Sequence, residues 1–266
     1  MMFMQNRHIF EGFIKVNCKH CRGTWFCLEF HRNGRLSKGI NSTFIALIPK
    51  IDNPQRLNDF RPIALVGCLY KILAKVFPNR LRKAMGTVIS ETQSAFVKDR
   101  HILDGILIAN EVVDEVVKMK KDLLLFKVDF EKAYDSVDWG YLDSVMGRMS
   151  FPTLWRKWMK ECVCTATAST LVNGCPTDMF FLKRGLRQGD PLSPFLFLIA
   201  AEGLNLMMSE VVNQNLFVGY SVRAHNAFLV KVNYHKSMLV GVNVEESWLG
   251  EAASVLSCKI GKILFM

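Results

Sequence analysis

The spacing of apolar residues in the first third of the chain predicts a β-hairpin. Residues 44–48 form a continuous apolar run that ends at Pro49, and residues 63–66 form a second run of the same kind. Short apolar runs bounded by turn residues are typical of buried strands. Residues 52–54, Asp-Asn-Pro, supply a turn signal between them. We therefore predict a hairpin over residues 44–66 with a basic tip.

Apolar positions three and four residues apart predict the main helices. Residues 70–85 have this spacing, although Pro78 should kink or break the helix because proline has no amide proton to donate. Residues 102–119 show the spacing more strongly. The residues on or near the apolar face of this second helix are Ile102, Leu103, Ile106, Ala109, Val113, Val116 and Val117. Further helices are predicted over residues 141–149, 152–164, 194–212 and 246–256.

Short strands are predicted between these helices. Residues 123–130 indicate a core strand with a carboxylate near its end. Residues 170–172 and 179–181 indicate two more strands across an Asn-Gly turn. The first 43 residues are rich in Cys, His, Asn, Gly and Arg, which predicts an irregular segment over residues 1–43. The mixture of sheet and helix predicts an α+β or mixed α/β fold.

Composition and charge narrow the class of protein. The chain has 266 residues, of which 50% are hydrophobic and 22% charged, which excludes disordered, collagen-like and low-complexity classes. The net charge of +10 is unevenly distributed, because residues 1–83 hold 15 Lys/Arg and 4 Asp/Glu whereas residues 84–266 hold 19 and 20. A basic segment beside a neutral remainder favours a polyanionic partner such as nucleic acid, although a merely soluble basic surface has the same charge.

Cysteines and apolar runs bear on location. Eight cysteines in a chain of this length do not predict a disulfide framework, and the first ten residues lack the apolar core of a secretory signal. The longest strongly apolar run, residues 195–201, is too short to span a bilayer. We therefore expect a soluble intracellular protein of the nucleus or cytoplasm with no membrane partner. Cys18, Cys21 and Cys27 resemble half a zinc site, but no second pair follows, which favours unpaired surface thiols.

Asp129 is the most informative single residue. It lies near the end of the apolar strand predicted over residues 123–130. A carboxylate in such a place is costly unless it is hydrogen-bonded, paired or bound to a metal. Two interpretations are open at this point, a cap for a following helix and a metal ligand.

Two further segments have the composition of a nucleotide site. Residues 184–197 contain two arginines, a Gln-Gly pair and the start of a helix, which fits a loop that approaches a phosphate, although an ordinary loop before a helix has similar composition. Lys50 and Arg61 flank the turn of the predicted hairpin. Lysine offers phosphate a point charge and arginine a bidentate fork, so the pair is suited to a triphosphate, unless the hairpin is simply a solvated basic surface.

Together these segments resemble the reverse transcriptase domain of plant non-LTR (LINE-type) retrotransposons. The resemblance runs from about residue 30 to the C-terminus, with six motifs in the family's order. They are Phe-Ile-Ala-Leu-Ile-Pro-Lys at 44–50, Phe-Arg-Pro-Ile at 60–63, Gln-Ser-Ala-Phe-Val at 93–97, the Asp129 strand, Gly-Leu-Arg-Gln-Gly-Asp-Pro-Leu-Ser-Pro at 185–194 and Lys-Val-Asn-Tyr-His-Lys-Ser at 231–237.

The resemblance implies a right-hand polymerase fold. Residues 44–122 would form a fingers-like subdomain and residues 123–266 a palm-like subdomain, with the thumb absent. It implies an RNA-directed DNA polymerase, a nucleotidyltransferase that extends a DNA primer on an RNA template with dNTPs. The chemistry would be a two-metal nucleotidyl transfer.

The resemblance also implies roles for individual residues. Asp129 would bind both catalytic Mg²⁺ ions, and the backbone carbonyl of Phe130 would help to hold one of them. Tyr134 corresponds to the aromatic residue that excludes the 2′-hydroxyl of a ribonucleotide, and Lys236 to the palm lysine near the leaving group. The full set at nucleotide-binding positions of the family is Lys50, Arg61, Tyr134, Gln188, Gly189 and Lys236.

One motif of the family is missing. The palm of the family carries an Asp-Asp hairpin, because one aspartate cannot place two divalent ions about 3.5–4 Å apart. No aspartate follows Asp190 in the remaining 76 residues. The simplest interpretation is an internal deletion near residue 227, which leaves the palm incomplete and this copy catalytically defective. The alternatives are a non-catalytic nucleic-acid-binding remnant and an unstable pseudogene product.

Overall fold

The structure is a computed structural model that describes residues 21–90, 93, 97, 99–127, 132–215, 221–222, 225–226, 238–255 and 258–261. The helices of this part of the chain are α1 (Cys21–Asn33), α2 (Cys68–Val88), α3 (Ile102–Met119), α4 (Trp139–Arg148), α5 (Thr153–Cys164), α6 (Ser193–Asn213) and α7 (Glu246–Val255). The strands are β1 (Ser42–Pro49), β2 (Phe60–Val66), β3 (Leu123–Lys127), β4 (Thr167–Val172), β5 (Cys175–Pro176), β6 (Phe180–Phe181), β7 (Ser221–Val222), β8 (His225–Asn226), β9 (Met238–Val242) and β10 (Lys259–Ile260).

The chain divides into two compact units. Unit 1 comprises residues 1–83 and 134–200, and unit 2 comprises residues 84–133 and 201–266. Both units contain helices and sheet, which confirms the mixed α/β class. The boundaries of fingers and palm stay a prediction.

Unit 1 is built on a sheet whose edge is the predicted hairpin. β1 and β2 pair antiparallel with Ile48 opposite Arg61, and β1 pairs in parallel with β4. β4 turns into β5 through Asn173 and Gly174, whose φ angles of 51° and 79° are those a two-residue hairpin turn requires. The strand across this Asn-Gly turn is therefore β5, while β6 pairs separately with β4.

Aromatic side chains from three helices form the core of unit 1. Phe30 of α1 lies 6.0 Å from Phe77 of α2, and Phe77 lies 6.0 Å from Trp158 of α5, measured between ring centroids. Edge-on and offset ring contacts at such distances stabilise a core beyond the area they bury. This cluster joins α1, α2 and α5.

Helix α1 corrects the prediction that residues 1–43 are irregular. Phe26, Cys27 and Phe30 are buried on one side of it, a pattern that the polar residues between them obscured in the sequence. Cys27 is therefore a core residue and not a surface thiol, whereas Cys18 lies outside the described residues.

Helix α2 continues through Pro78 and is not broken there. An internal proline costs about 3 kcal/mol because one backbone hydrogen bond is lost and the ring crowds the preceding turn. Leu73, Phe77 and Leu81 are fully buried on the same helix. Burial of each such side chain contributes about 1.5–3 kcal/mol, so the packing outweighs the proline.

Unit 2 contains the sheet β10-β9-β3, in which β3 and β9 are antiparallel. The predicted bounds of α3 are confirmed, but its buried face is narrower than predicted. Val112, Val113 and Val116 pack with Leu123 and Val242. The predicted face residues Leu103, Ile106 and Val117 are each about half exposed or more.

Helix α6 is long and apolar enough to cross a membrane by length and composition, the only such helix in the described ranges. The helix predicted over residues 194–212 is confirmed as α6, and the apolar run of residues 195–201 forms only part of it. Leu196, Leu198 and Ile199 are buried within unit 1, as in the core helix of a folded domain. The absence of a membrane partner stays a prediction.

Candidate nucleotide-binding site

The segment before Gln188 is fixed against the chain that precedes α4. The amide of Gly185 donates to the carbonyl of Val137 at 2.8 Å, and Trp139 Nε1 donates to the carbonyl of Gly185 at 2.8 Å. Gly185 has a φ of 81°, and a Cβ there would lie 2.8 Å from the carbonyl oxygen of Asp135. Only glycine fits so close an approach of two backbones.

The Gln188-Gly189 pair lies on the outer edge of β2. The amide of Ala64 donates to the carbonyl of Gln188 at 2.7 Å, and β2 is an edge strand of its sheet. Gly189 has a φ of 95°, and a Cβ there would lie 3.0 Å from the carbonyl oxygen of Ala64. The pair covers an edge that would otherwise present unpaired backbone groups. The structure thus brings the predicted loop and the predicted hairpin together.

Tyr134 belongs to the same neighbourhood. Its carbonyl accepts from the amide of Leu186 at 2.7 Å, and its ring stacks on Phe197 of α6, with centroids 5.3 Å apart and planes 21° apart. Burial raises the pKa of the Tyr134 hydroxyl above its ordinary value. Gln188 Nε2 donates to Asp135 Oδ1 at 3.3 Å, which ties the side chain of the loop to the residue after Tyr134. The ring orientation of Tyr134 is therefore set by helix α6.

Lys50 and Arg61 are both exposed at the ends of the hairpin strands. Lys50 Nζ donates to the carbonyl of Asn58 at 2.8 Å, so its ammonium group contacts the hairpin turn. Arg61 lies on β2 three residues before Ala64, on the strand that contacts Gln188. The two cations flank the turn as predicted, and their convergence on a triphosphate stays a prediction.

The residues on either side of the Gln188-Gly189 pair, Arg187 and Asp190, form a buried ion pair. Arg187 Nη2 and Asp190 Oδ2 are 2.8 Å apart, and their side chains are only 7% and 3% exposed. Arg187 Nη1 donates to Asn41 Oδ1 at 2.8 Å. Tyr70 donates its hydroxyl to Asp190 Oδ2 at 2.8 Å, and the Arg187 guanidinium lies 4.3 Å from the Tyr70 ring centroid. Burial, which is the largest cause, raises the pKa of the Tyr70 hydroxyl well above its usual value.

Sequence reasoning missed this network. Arg187 and Asp190 have opposite charges on either side of Gln-Gly, which is a detectable local signal. Tyr70 and Asn41 are 120 or more residues away in the chain, and no local pattern links them to the loop. The sequence pattern assigns Tyr70 only to the start of the helix predicted over residues 70–85.

Three predicted site residues cannot be located. Asp129, Phe130 and Lys236 lie outside the described residues. Within the described ranges, no group of three His, Cys, Asp or Glu side chains is arranged to hold a metal ion. The roles assigned to these three residues stay predictions.

The excess positive charge lies in unit 1 alone. By sequence, unit 1 holds 22 Lys/Arg and 10 Asp/Glu, whereas unit 2 holds 12 and 14. The loop, the hairpin and Tyr134 all belong to unit 1. A net positive unit favours the approach of a polyphosphate.

The family model described as Reverse transcriptase (RNA-dependent DNA polymerase) matches residues 48–220, well over half of the chain. The chain belongs to the reverse transcriptase family. The match includes Lys50, strand β2, Tyr134 and the Gln188-Gly189 loop, whereas most of β1 precedes it. The resemblance inferred from the sequence motifs is confirmed at this level.

Relatives of this reverse transcriptase domain are encoded by retrotransposons. This chain is 29% identical over 174 residues to the Transposon TX1 uncharacterized 149 kDa protein of Xenopus laevis. The alignment covers 65% of this chain and 13% of that protein. The chain is 26% identical over 156 residues to the Retrovirus-related Pol polyprotein from type-1 retrotransposable element R2 of Popillia japonica, covering 57% of this chain and 21% of that protein. The chain thus spans only 13% and 21% of the length of these two relatives.

Two further comparisons complete the set. An uncharacterized mitochondrial protein of Arabidopsis thaliana is 38% identical over 60 residues, which are 23% of this chain and 49% of that protein. The solved apo telomerase from Candida tropicalis, truncated from its C-terminal domain, is similar with a TM-score of 0.44 and 15% identity, covering 65% of this chain and 40% of that one. The family match and the two retrotransposon relatives support a reverse transcriptase domain similar to those of R2 and TX1. The plant origin and the internal deletion stay predictions.

Proposed function

We propose that this chain is an RNA-directed DNA polymerase domain whose unit 1 binds a deoxynucleoside triphosphate over an RNA template and a DNA primer. In this proposal Arg61 and Lys50 bind the triphosphate, and Gln188 and Gly189 lie under the nucleotide and the template base. Tyr134 excludes a 2′-hydroxyl. We further propose that this copy is catalytically defective.

The observation that carries the binding proposal is the contact between the Gln188 carbonyl and the Ala64 amide. It joins the loop to the strand that carries Arg61, so a backbone surface and a guanidinium belong to one rigid strand edge. Gly189 beside it is exposed, so this position presents backbone and no side chain to solvent. Arginine then supplies bidentate contacts to phosphate.

The binding proposal does not include the two-metal catalysis of the family. In the proposed chemistry Asp129 and the Phe130 carbonyl would hold Mg²⁺, which would supply positive charge to the attacking hydroxyl and the leaving pyrophosphate. The described residues do not provide a carboxylate cluster for such ions, and Asp129 is outside them. The role proposed for unit 1 is therefore confined to binding and orienting the nucleotide.

The binding proposal is tested by titrating a fluorescent dNTP into the full chain with an RNA template and DNA primer. Arg61→Gln should weaken nucleotide affinity roughly tenfold, because a charge-assisted contact to phosphate is lost. Arg148→Gln removes the same charge from an exposed position in the last turn of α4 and should leave the affinity unchanged. Equal losses for the two variants would mean that only net charge matters, which would refute the site.

The proposed defect is tested by primer extension on an RNA template with Mg²⁺ and dNTPs. We expect no extension above that of the Asp129→Ala variant, because no aspartate follows Asp190 to complete a two-metal site. Extension by the unaltered chain that disappears in Asp129→Ala would show that the copy is active. That result would leave the family assignment intact.

A non-catalytic nucleic-acid-binding remnant is the second candidate, favoured by the excess positive charge of unit 1. Its affinity for RNA should fall steeply with salt, with a log-log slope that reports the number of phosphates neutralised. Affinity that does not change with salt would exclude this function. An unstable pseudogene product, the third alternative, is excluded by a single cooperative unfolding transition.

A further inference from the structure

The Gln188-Gly189 pair lies between two charged residues that are withdrawn from solvent. Asp190 is 4% exposed as a whole residue, while Gly189 next to it is exposed. The carboxylate accepts from Arg187 at 2.8 Å and from the amide of Leu192 at 2.9 Å. Both ends of the two-residue segment are therefore fixed inside unit 1, and only the segment itself faces outward.

Tyr70 completes this arrangement from helix α2. It is 1% exposed, and its hydroxyl donates to Asp190 Oδ2 at 2.8 Å. The guanidinium of Arg187 lies over its ring at 4.3 Å. One side chain thus contacts both members of the ion pair, through its hydroxyl on one side and its ring face on the other.

Stability alone does not account for such a network. Removing two charges from water costs more than a buried ion pair usually returns, and apolar side chains of similar volume often serve stability as well or better. An ion pair adds a defined geometry, since each of its hydrogen bonds fixes the position of the partner side chain. Here the partners fixed are the residues on either side of the segment that contacts β2.

We propose that Tyr70 is a positioning residue for the Gln188-Gly189 segment. Its hydroxyl orients the Asp190 carboxylate and its ring supports Arg187, and the two together fix the Gln188 carbonyl on the Ala64 amide. The positioning itself is a property of the fold. Its consequence for nucleotide binding rests on the proposed function.

The first test measures hydrogen exchange at the Ala64 amide in the full chain. Tyr70→Phe keeps the ring and removes the hydroxyl, and it should speed exchange of this amide about tenfold, the effect of losing one buried hydrogen bond. Tyr141→Phe is the matched control, because its hydroxyl donates to the carbonyl of Ala200 at 3.1 Å in the same unit. Unchanged exchange in Tyr70→Phe, or equal acceleration in both variants, would overturn the proposal.

The second test measures dNTP affinity with an RNA template and DNA primer. Tyr70→Phe should weaken it several-fold and Tyr141→Phe should not, with both variants shown to unfold cooperatively. If Tyr70→Phe does not fold, Asp190→Asn keeps the shape but removes the charge that strengthens the hydrogen bonds from Tyr70 and Arg187, so it should weaken affinity in the same direction. Unchanged affinity despite faster Ala64 exchange would overturn the consequence for binding. If the unaltered chain binds no dNTP, the proposed function fails, and Ala64 exchange still decides the positioning role.

Discussion

The amide of Ala64 donates a 2.7 Å hydrogen bond to the carbonyl of Gln188, 124 positions further along the chain. This bond attaches a loop to the free edge of the hairpin and pairs a backbone amide that the edge strand would otherwise leave without a partner in the sheet. The next residue, Gly189, favours this bond, because a Cβ there would lie 3.0 Å from the Ala64 carbonyl oxygen. The glycine therefore contributes to the junction between the two segments of the candidate site.

Gly189→Ala should destabilise unit 1 and weaken nucleotide binding together. The φ of 95° is unfavourable for any L-residue with a side chain, and the new Cβ would lie 3.0 Å from the Ala64 carbonyl oxygen. We expect a loss of about 1–3 kcal/mol in the free energy of unfolding, measured by urea denaturation. Gly185→Ala should lose more, because its Cβ would lie within 3.1 Å of three backbone atoms of Asp135.

Gly39→Ala is the matched control for this prediction. Gly39 has a φ of 85°, but a Cβ there would meet nothing within 4 Å. Its substitution isolates the conformational cost from the steric one, so its loss should be the smallest of the three. A ranking in which Gly39→Ala costs as much as Gly189→Ala would show that the approach to Ala64 is unimportant.

Local patterns in the sequence predicted the parts of the site that are local. The hairpin followed from two apolar runs and a turn signal, and the structure confirms it over β1 and β2. The bounds of α3 were predicted to the residue. In both cases the spacing of apolar residues within one short segment specifies the element, so residues close in sequence are enough to predict it.

Features that depend on tertiary packing could not be predicted in this way. Tyr70 and Asp190 are hydrogen-bonded although they lie 120 positions apart in the chain, and no local sequence pattern near either residue indicates the contact. The buried face of α1 is interrupted by polar residues, and α2 passes through Pro78 because distant aromatic rings stabilise it. Such outcomes depend on what a segment packs against, which propensity does not include.

The Arg187–Asp190 pair should be costly to break and much cheaper to remove. Arg187→Met leaves Asp190 as an uncompensated charge at 3% side-chain exposure, which should cost about 3–5 kcal/mol of the free energy of unfolding. In the double variant Arg187→Met with Asp190→Asn, the remaining group is neutral and still accepts from Tyr70. We expect the double variant to be more stable than Arg187→Met alone, which a double-mutant cycle measures directly.

The Arg156–Asp143 pair is the control for burial. Arg156 donates to both carboxylate oxygens of Asp143, and the hydrogen bond from Arg156 lowers the pKa of that carboxyl. The two side chains are 29% and 35% exposed, so solvent screens them. Arg156→Met should therefore cause a much smaller loss than Arg187→Met. Similar losses would show that burial does not set the cost.

Two buried groups should make the protein sensitive to alkali. Burial, the largest cause in each case, raises the pKa of the Cys162 thiol above its ordinary value of 9.0 and that of the Tyr70 hydroxyl above its ordinary value of 10.0. The unfolded chain therefore releases these protons at a lower pH than the folded chain does. Neither group changes the free energy of unfolding below about pH 9. Cys162 lowers it by about 1.4 kcal/mol per pH unit above about pH 9, and Tyr70 does the same above about pH 10.

Variants at the two positions separate these contributions by their pH of onset. Cys162→Ala should flatten the decline from about pH 9 upward, whereas Tyr70→Phe should flatten it only above about pH 10, since each group begins to titrate in the unfolded chain near its ordinary value. Urea denaturation at closely spaced pH values measures both slopes. Each variant serves as the control for the other, because Cys162 and Tyr70 are 0% and 1% exposed in the same unit. A decline that starts at the same pH in the unaltered chain and in both variants would show that neither group is buried as the structure has it.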